Sequence, residues 1–132
     1  MDAGQARDFA ERYTAAWCSD DPAQVARHYA PDGSLTLNDG TPAVGSEEIT
    51  AAAKAFMDAF PDLTVLFDDL REGSDGWEYH WTLDGTHAQS GNHVRVSGYE
   101  LWHLGAGVIR SSRGRYDQDE YDRQVSAGSD AG

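Results

Sequence analysis

The chain has 132 residues, with 10 Lys and Arg against 23 Asp and Glu; its formal charge of -13 argues against a nucleic-acid partner, which needs clustered cations. No run approaches the roughly 18 consecutive apolar residues of a membrane span, and the opening MDAGQARDFAERY lacks the apolar core of a secretory signal. The lone Cys18 excludes an intrachain disulfide and reads as a small core hydrophobe, so the expectation is one cytoplasmic domain with no membrane partner.

Residues 5–18 carry Phe9, Tyr13, Ala16 and Trp17 at helical spacing, opposite Arg7, Asp8, Glu11 and Arg12. Asp20-Asp21-Pro22 then caps a second helix that runs to about Tyr29, and Pro31-Asp32-Gly33 closes it. Ser34 to Asn38 alternates as a short strand. Ser46-Glu47-Glu48-Ile49 is a capping-type start for a third helix, with Ile49, Ala53, Phe56, Met57 and Phe60 on its inner face.

After Pro61 the apolar period falls from about 3.6 to about 2 residues. Strands are predicted at about 63–72, 76–87, 93–104 and 108–117, with turns at Gly73-Ser74-Asp75-Gly76, near Ser90-Gly91-Asn92, and at Gly105-Ala106-Gly107. A short helix over about Gln118–Val125 follows, capped by Asp117, and then a Ser/Gly/Asp tail over about 126–132 that is expected to be disordered. The sum is an α+β fold: N-terminal helices packed on a curved, mostly antiparallel sheet that encloses a pocket.

Strand parity decides which side chains meet inside. Over 76–87 the odd positions Trp77, Tyr79, Trp81 and Leu83 are apolar; over 93–104 the even positions Val94, Val96, Trp102 and Leu104 are. Glu100 sits in the middle of that second apolar face, where a carboxylate is costly unless paired, protonated or functional. In the last strand Ser112 and Gly114 are small and would leave space beside aromatic walls, or else mark a close crossing. His87 continues the inward parity of its strand and is either a group acting near neutral pH or a loop-end histidine bonded to backbone. His80 and His103 fall on the outer faces, His28 reads as surface and His93 as loop, a scatter without metal-ligand spacing. Nor is there a glycine-rich phosphate loop.

The segments YTAAWCSDDPAQVARHYAPDGSLTLNDGTPAVGSEEI, FPDLTVLFDDL, WTLDGTH, VSGYELWHL and GVIRSSRGRYDQDEYDRQ resemble, in order and spacing, the SnoaL-like polyketide cyclases of the NTF2-like superfamily, which includes ketosteroid isomerases. The resemblance spans about residues 5–125 and implies a cone-shaped α+β barrel, a homodimer formed through the outer sheet face, and no cofactor. It places the isomerases' phenolic donor on Tyr13 and their carboxylic acid, allowing one residue less in the hairpin, on Glu100. The isomerases' general-base Asp falls on Leu37; the cyclases' last-strand Asp and its supporting His fall on Gly114 and Glu100.

These readings yield a candidate site. Glu100, Tyr13 and His87 are the candidate acid/base and hydrogen-bonding groups, with Trp17, Phe56, Phe60, Trp81, Trp102, Ser112, Gly114 and Tyr116 around an apolar organic ligand. The expected function is cofactor-free cyclisation, isomerisation or ring opening of an apolar, polyketide-type substrate; the competing readings are a dimeric ligand-binding domain without catalysis and an interaction module. Tyr99 and Leu101, with His80, Thr82 and His103, are the expected dimer face.

Overall fold

Local capping chemistry sets where the helices begin. The computed structural model describes residues 2–128. α1 (Ala3–Trp17) opens on a reciprocal pair in which the Gln5 N–H donates to Asp2 Oδ1 (2.8 Å) and the Asp2 N–H to Gln5 Oε1 (3.0 Å). α2 (Pro22–Ala26) is capped by Asp21, whose Oδ1 accepts from the Ala23 N–H at 3.2 Å.

Here the structure departs from the expected helix to Tyr29. β1 (Tyr29–Leu37) takes over at once, and Pro31-Asp32-Gly33 lies inside it as an irregularity, between the pairs Tyr29↔Ile109 and Ser34↔Ser111. Parallel pairing with the last strand captures a backbone that local propensity assigned to a helix. Gly33 permits the close approach, since a Cβ there would lie 3.0 Å from the Ile109 carbonyl oxygen. A two-residue strand not foreseen, β2 (Ala43–Val44), leads into α3 (Gly45–Ala59). Val44, not Ser46, is the N-cap, and it contributes no side-chain bond; the Glu48 carboxylate instead accepts the Val44 N–H at 3.0 Å.

β3 (Thr64–Gly73), β4 (Gly76–Thr86), β5 (His93–Gly105) and β6 (Val108–Tyr116) form the antiparallel meander, and α4 (Gln118–Ala127) follows on its expected Asp117 cap. The sheet order is β2-β1-β6-β5-β4-β3, with β1 and β6 the parallel neighbours. Residues 126 and 127, expected in a disordered tail, belong to α4; residues 129–132 lie outside the described residues.

Parity is as read as far as Trp102: Trp77, Tyr79, Trp81, Leu83, Val94, Val96, Glu100 and Trp102 are all buried in the core that also holds Phe9, Tyr13 and Trp17, while Leu104, past a register shift after His103, is only half-buried. Tyr79 stacks on Trp102 at 4.7 Å between ring centroids, and Phe9 and Tyr13 meet Trp102 edge-on at 5.5 and 5.2 Å. Cys18 is exposed rather than in the core: it caps the C-terminus of α1, and its Sγ accepts the Val65 N–H at 3.3 Å. On the outer face Thr82 is buried beneath Asp68 and Ser97, to which its hydroxyl is bonded at 2.5 and 2.7 Å. Among the described residues no helix is long and apolar enough to cross a membrane.

Candidate functional site

The inner sheet face and the helices enclose a cavity with almost wholly apolar walls. Leu35 and Leu37 of β1, Val65 of β3, Leu83 of β4 and Val96 of β5 form its aliphatic lining. Trp17 of α1, Phe56 of α3, Tyr79 and Trp81 of β4, Tyr116 of β6 and Tyr121 of α4 form its aromatic lining, and Glu100 is the carboxylate among them. About 50 Å³ is open to the centre of a water molecule, several times the roughly 10–15 Å³ that one water needs.

Glu100 is 5% exposed, set between Tyr79 of β4 and Gly114 of β6. Its Oε1 accepts from Ser112 Oγ (2.6 Å), Tyr13 Oη (2.9 Å) and Trp102 Nε1 (3.0 Å), with Tyr29 Oη at the limit of 3.5 Å. Each phenol has one proton. Tyr13 gives its proton to Glu100, so at 2.8 Å Tyr29 donates to Tyr13, and the two form a chain ending on the carboxylate. Tyr79 is committed elsewhere: Thr14 Oγ1 donates to the Ala10 carbonyl, leaving the Tyr79 hydroxyl to donate to Thr14 at 2.5 Å. No described residue donates to Glu100 Oε2, which is therefore the oxygen left for a guest.

Burial pushes the Glu100 carboxyl above the usual glutamate range, and the bonds from Ser112, Trp102, Tyr13 and Tyr29 pull it only part of the way back. A proton held there belongs on Oε2, because Oε1 is already crowded with donors. Burial, followed by the charge of Glu100, pushes Tyr13 and Tyr29 well above their ordinary range, so both act as donors and not as bases near neutrality.

The other expected site residues divide. Trp17, Phe56, Trp81 and Tyr116 line the cavity. Trp102 and Ser112 are not walls but donors to Glu100. Phe60 is fully buried at the end of α3 and packs on His87 and on Tyr121, behind that cavity wall rather than in it. His87 lies away from the cavity, as the loop-end histidine bonded to backbone: β4 ends at Thr86, so parity no longer governs the next residue, its Nδ1 accepts the Ser90 N–H at 3.2 Å, and the ring packs at a steep angle against Phe60. His28, expected on the surface, is half-buried with its ring edge-on to Phe9 and Tyr13. Gly114 leaves no room for a guest, because a Cβ there would fall 2.6 Å from Leu37 Cδ2. The positions to which the resemblance assigned the isomerases' base and the cyclases' last-strand Asp are thus a packed Leu–Gly pair in this chain. Tyr29 was missed because it was read as the end of a helix, and Tyr121 because a short exposed helix gave no sign of facing inward.

Two polar features remain. Among the described residues, Trp81 Nε1 is the one buried side-chain nitrogen or oxygen without a hydrogen-bond partner, a state that costs about 1–3 kcal/mol. No group of three His, Cys, Asp or Glu side chains among the described residues is placed to hold a metal ion.

The family model for SnoaL-like polyketide cyclase matches residues 7–125. The chain belongs to the SnoaL-like polyketide cyclase family. No curated protein matches it. Among solved structures, TsrD from Streptomyces laurentii is 20% identical, covers 96% of this chain and 98% of its own, and superposes with a TM-score of 0.83. A protein of ketosteroid isomerase-like fold from Catenulispora acidiphila, in complex with trimethylamine, is 17% identical over 89% of this chain and 91% of its own, TM-score 0.81. TerC, co-crystallised with polyporic acid, is 11% identical over 93% of this chain and 99% of its own, TM-score 0.79. At these identities the structural likeness establishes the fold of this SnoaL-like chain and no more. Family and fold together set a coarse role, cyclase- or isomerase-type chemistry or ligand binding.

Proposed function

We propose that this SnoaL-like protein is a cofactor-free acid/base enzyme that cyclises, isomerises or opens a ring in an apolar, polyketide-type substrate. The observation that carries the reading is the one-sided hydrogen bonding of Glu100: donors converge on Oε1 and leave Oε2 without a donor, on a residue that lines the cavity. The Oε2 proton passes to a substrate oxygen as bonds rearrange. The carboxylate that results is held by Ser112, Tyr13 and Trp102, and it recovers a proton from carbon or oxygen of the same molecule, so the step is balanced without a co-reactant. Relatives of this fold complexed with trimethylamine and with polyporic acid support a small organic guest. Homodimerisation through the outer sheet face is part of the same reading, supported by Tyr99 left 37% exposed there.

The ligand-binding alternative rests on the Leu37–Gly114 pair, which leaves no carboxylate at the two positions where the family resemblance places acid/base groups. One experiment separates the two. Glu100→Gln keeps shape and acceptor but removes the transferable proton. Loss of turnover on a library-identified substrate with binding retained supports the enzyme, whereas a wild-type protein that binds guests tightly and converts none supports the carrier.

A further inference from the structure

The cavity is too small for a ring. Its volume of about 50 Å³ is about a third of the roughly 150 Å³ of an apolar cavity that takes up one benzene, so a ring-sized guest requires a wall to move. Of the lining residues, Leu37, Phe56, Tyr116 and Tyr121 are half-buried and mark the mouth, and the others are buried. Leu37 and Tyr116 are fixed in the sheet by their pairing with Gly114 and Gly98. Phe56 rides on α3, which is anchored by buried Ile49, Ala53 and Met57. Tyr121 rides on α4, where Gln124 is the one buried side chain among the described residues. Polar contacts tie this helix down: the Arg95 N–H donates to Gln124 Oε1 at 2.6 Å, and Asn92 Nδ2 donates to the Val125 carbonyl at 2.8 Å. The Tyr121 ring adds edge-on contacts with Phe60 and Tyr116. An element with so little buried apolar surface opens at a fraction of the cost of global unfolding.

We propose that α4 is a lid with Tyr121 as its inward plug, and that a ring-sized apolar guest binds by holding this helix outward while the sheet, α1 and α3 stay in place. This rests on the cavity being a ligand site, and it adds the movement by which that site admits its guest. The helix is entered from Tyr116 through Asp117, so it turns outward about that one residue once the Asn92 and Arg95 bonds are released. Because the guest occupies only the open form, its affinity is reduced by the fraction of molecules that are closed. Weakening the closure therefore tightens binding.

The test uses the full-length protein and the bicyclic ketone 1-tetralone, with binding followed by stopped-flow tryptophan fluorescence. Asn92→Ala removes a bond of the closed lid from a residue that does not line the cavity. The variant should bind 1-tetralone about fivefold more tightly, the size of one neutral hydrogen bond, through faster association with dissociation unchanged. A bond with a purely structural role gives no gain in affinity when it is lost. Hydrogen exchange on the wild type supplies a second readout, and it decides alone should Asn92→Ala fail to fold: saturating 1-tetralone should speed exchange of the α4 amides and not those of α1. If Asn92→Ala binds no more tightly, or the α4 amides do not accelerate, α4 is a fixed wall and the lid falls while the pocket stands. If 1-tetralone perturbs neither the tryptophan signal nor the exchange of any cavity-lining residue, the ligand-site reading fails and the lid goes with it.

Discussion

Replacing Glu100 with leucine keeps the bulk of the side chain and removes the acceptor on which three close donors depend. Ser112 at 2.6 Å, Tyr13 at 2.9 Å and Trp102 at 3.0 Å lose their partner in a site closed to bulk water. Each buried donor left unsatisfied costs about 1–3 kcal/mol. Tyr13 gains nothing by turning toward Tyr29, whose own proton already fills the 2.8 Å contact, but removing a buried carboxyl returns its desolvation penalty. Three losses less that offset give a net destabilisation of about 3–5 kcal/mol for Glu100→Leu. Glu100→Gln keeps the Oε1 acceptor and should stay within about 1 kcal/mol of wild type. The assay is urea denaturation followed by circular dichroism, compared at equal m-values. A leucine variant as stable as the glutamine variant would refute the convergence of donors on Oε1.

Because burial raises the folded-state pKa of Glu100, the stability it contributes is full below the unfolded carboxyl pKa and is lost as pH rises through the folded value. Wild type should therefore lose stability relative to Glu100→Gln as pH rises in paired melts; a wild type that gains contradicts the shift. Gly98→Ala should destabilise by more than about 3 kcal/mol, since the added methyl would meet the Arg115 carbonyl oxygen as well as Trp81; thermal melts check it. Gly114→Ala should be milder, because Leu37 Cδ2 is a mobile side-chain end, and Leu37→Ala should relieve it; an additive double-mutant cycle would deny the contact. Cys18, exposed at the end of α1, should react with a thiol reagent in the native state at the rate of an open thiol; a rate that appears only on denaturation opposes this.

Period and parity were enough to read the meander from sequence: β3 to β6 fall within a residue or two of expectation because each has one buried face. The same parity found Glu100, while helical spacing and the family resemblance, not parity, put Tyr13 beside it. What it could not show was non-local. Tyr29 joins the site because β1 pairs in parallel with a strand about 80 residues later, which no local pattern around Pro31 announces. His87 was misplaced because alternation says nothing beyond the last paired residue. Gly114 looked like space from its own strand and is filled by Leu37 from the neighbouring one.

The proposed chemistry depends on Glu100 as a carboxyl that holds its proton at Oε2 while Oε1 is tied down. The direct measurement is the pH titration of its ¹³Cδ resonance in the labelled protein, assigned by its disappearance in Glu100→Gln. The predicted result is a midpoint above that of every surface glutamate in the same spectra, as the burial of Glu100 requires. A midpoint at or below theirs would mean that Ser112, Tyr13 and Trp102 hold the anion, and Glu100 would then be an anchor and not an acid.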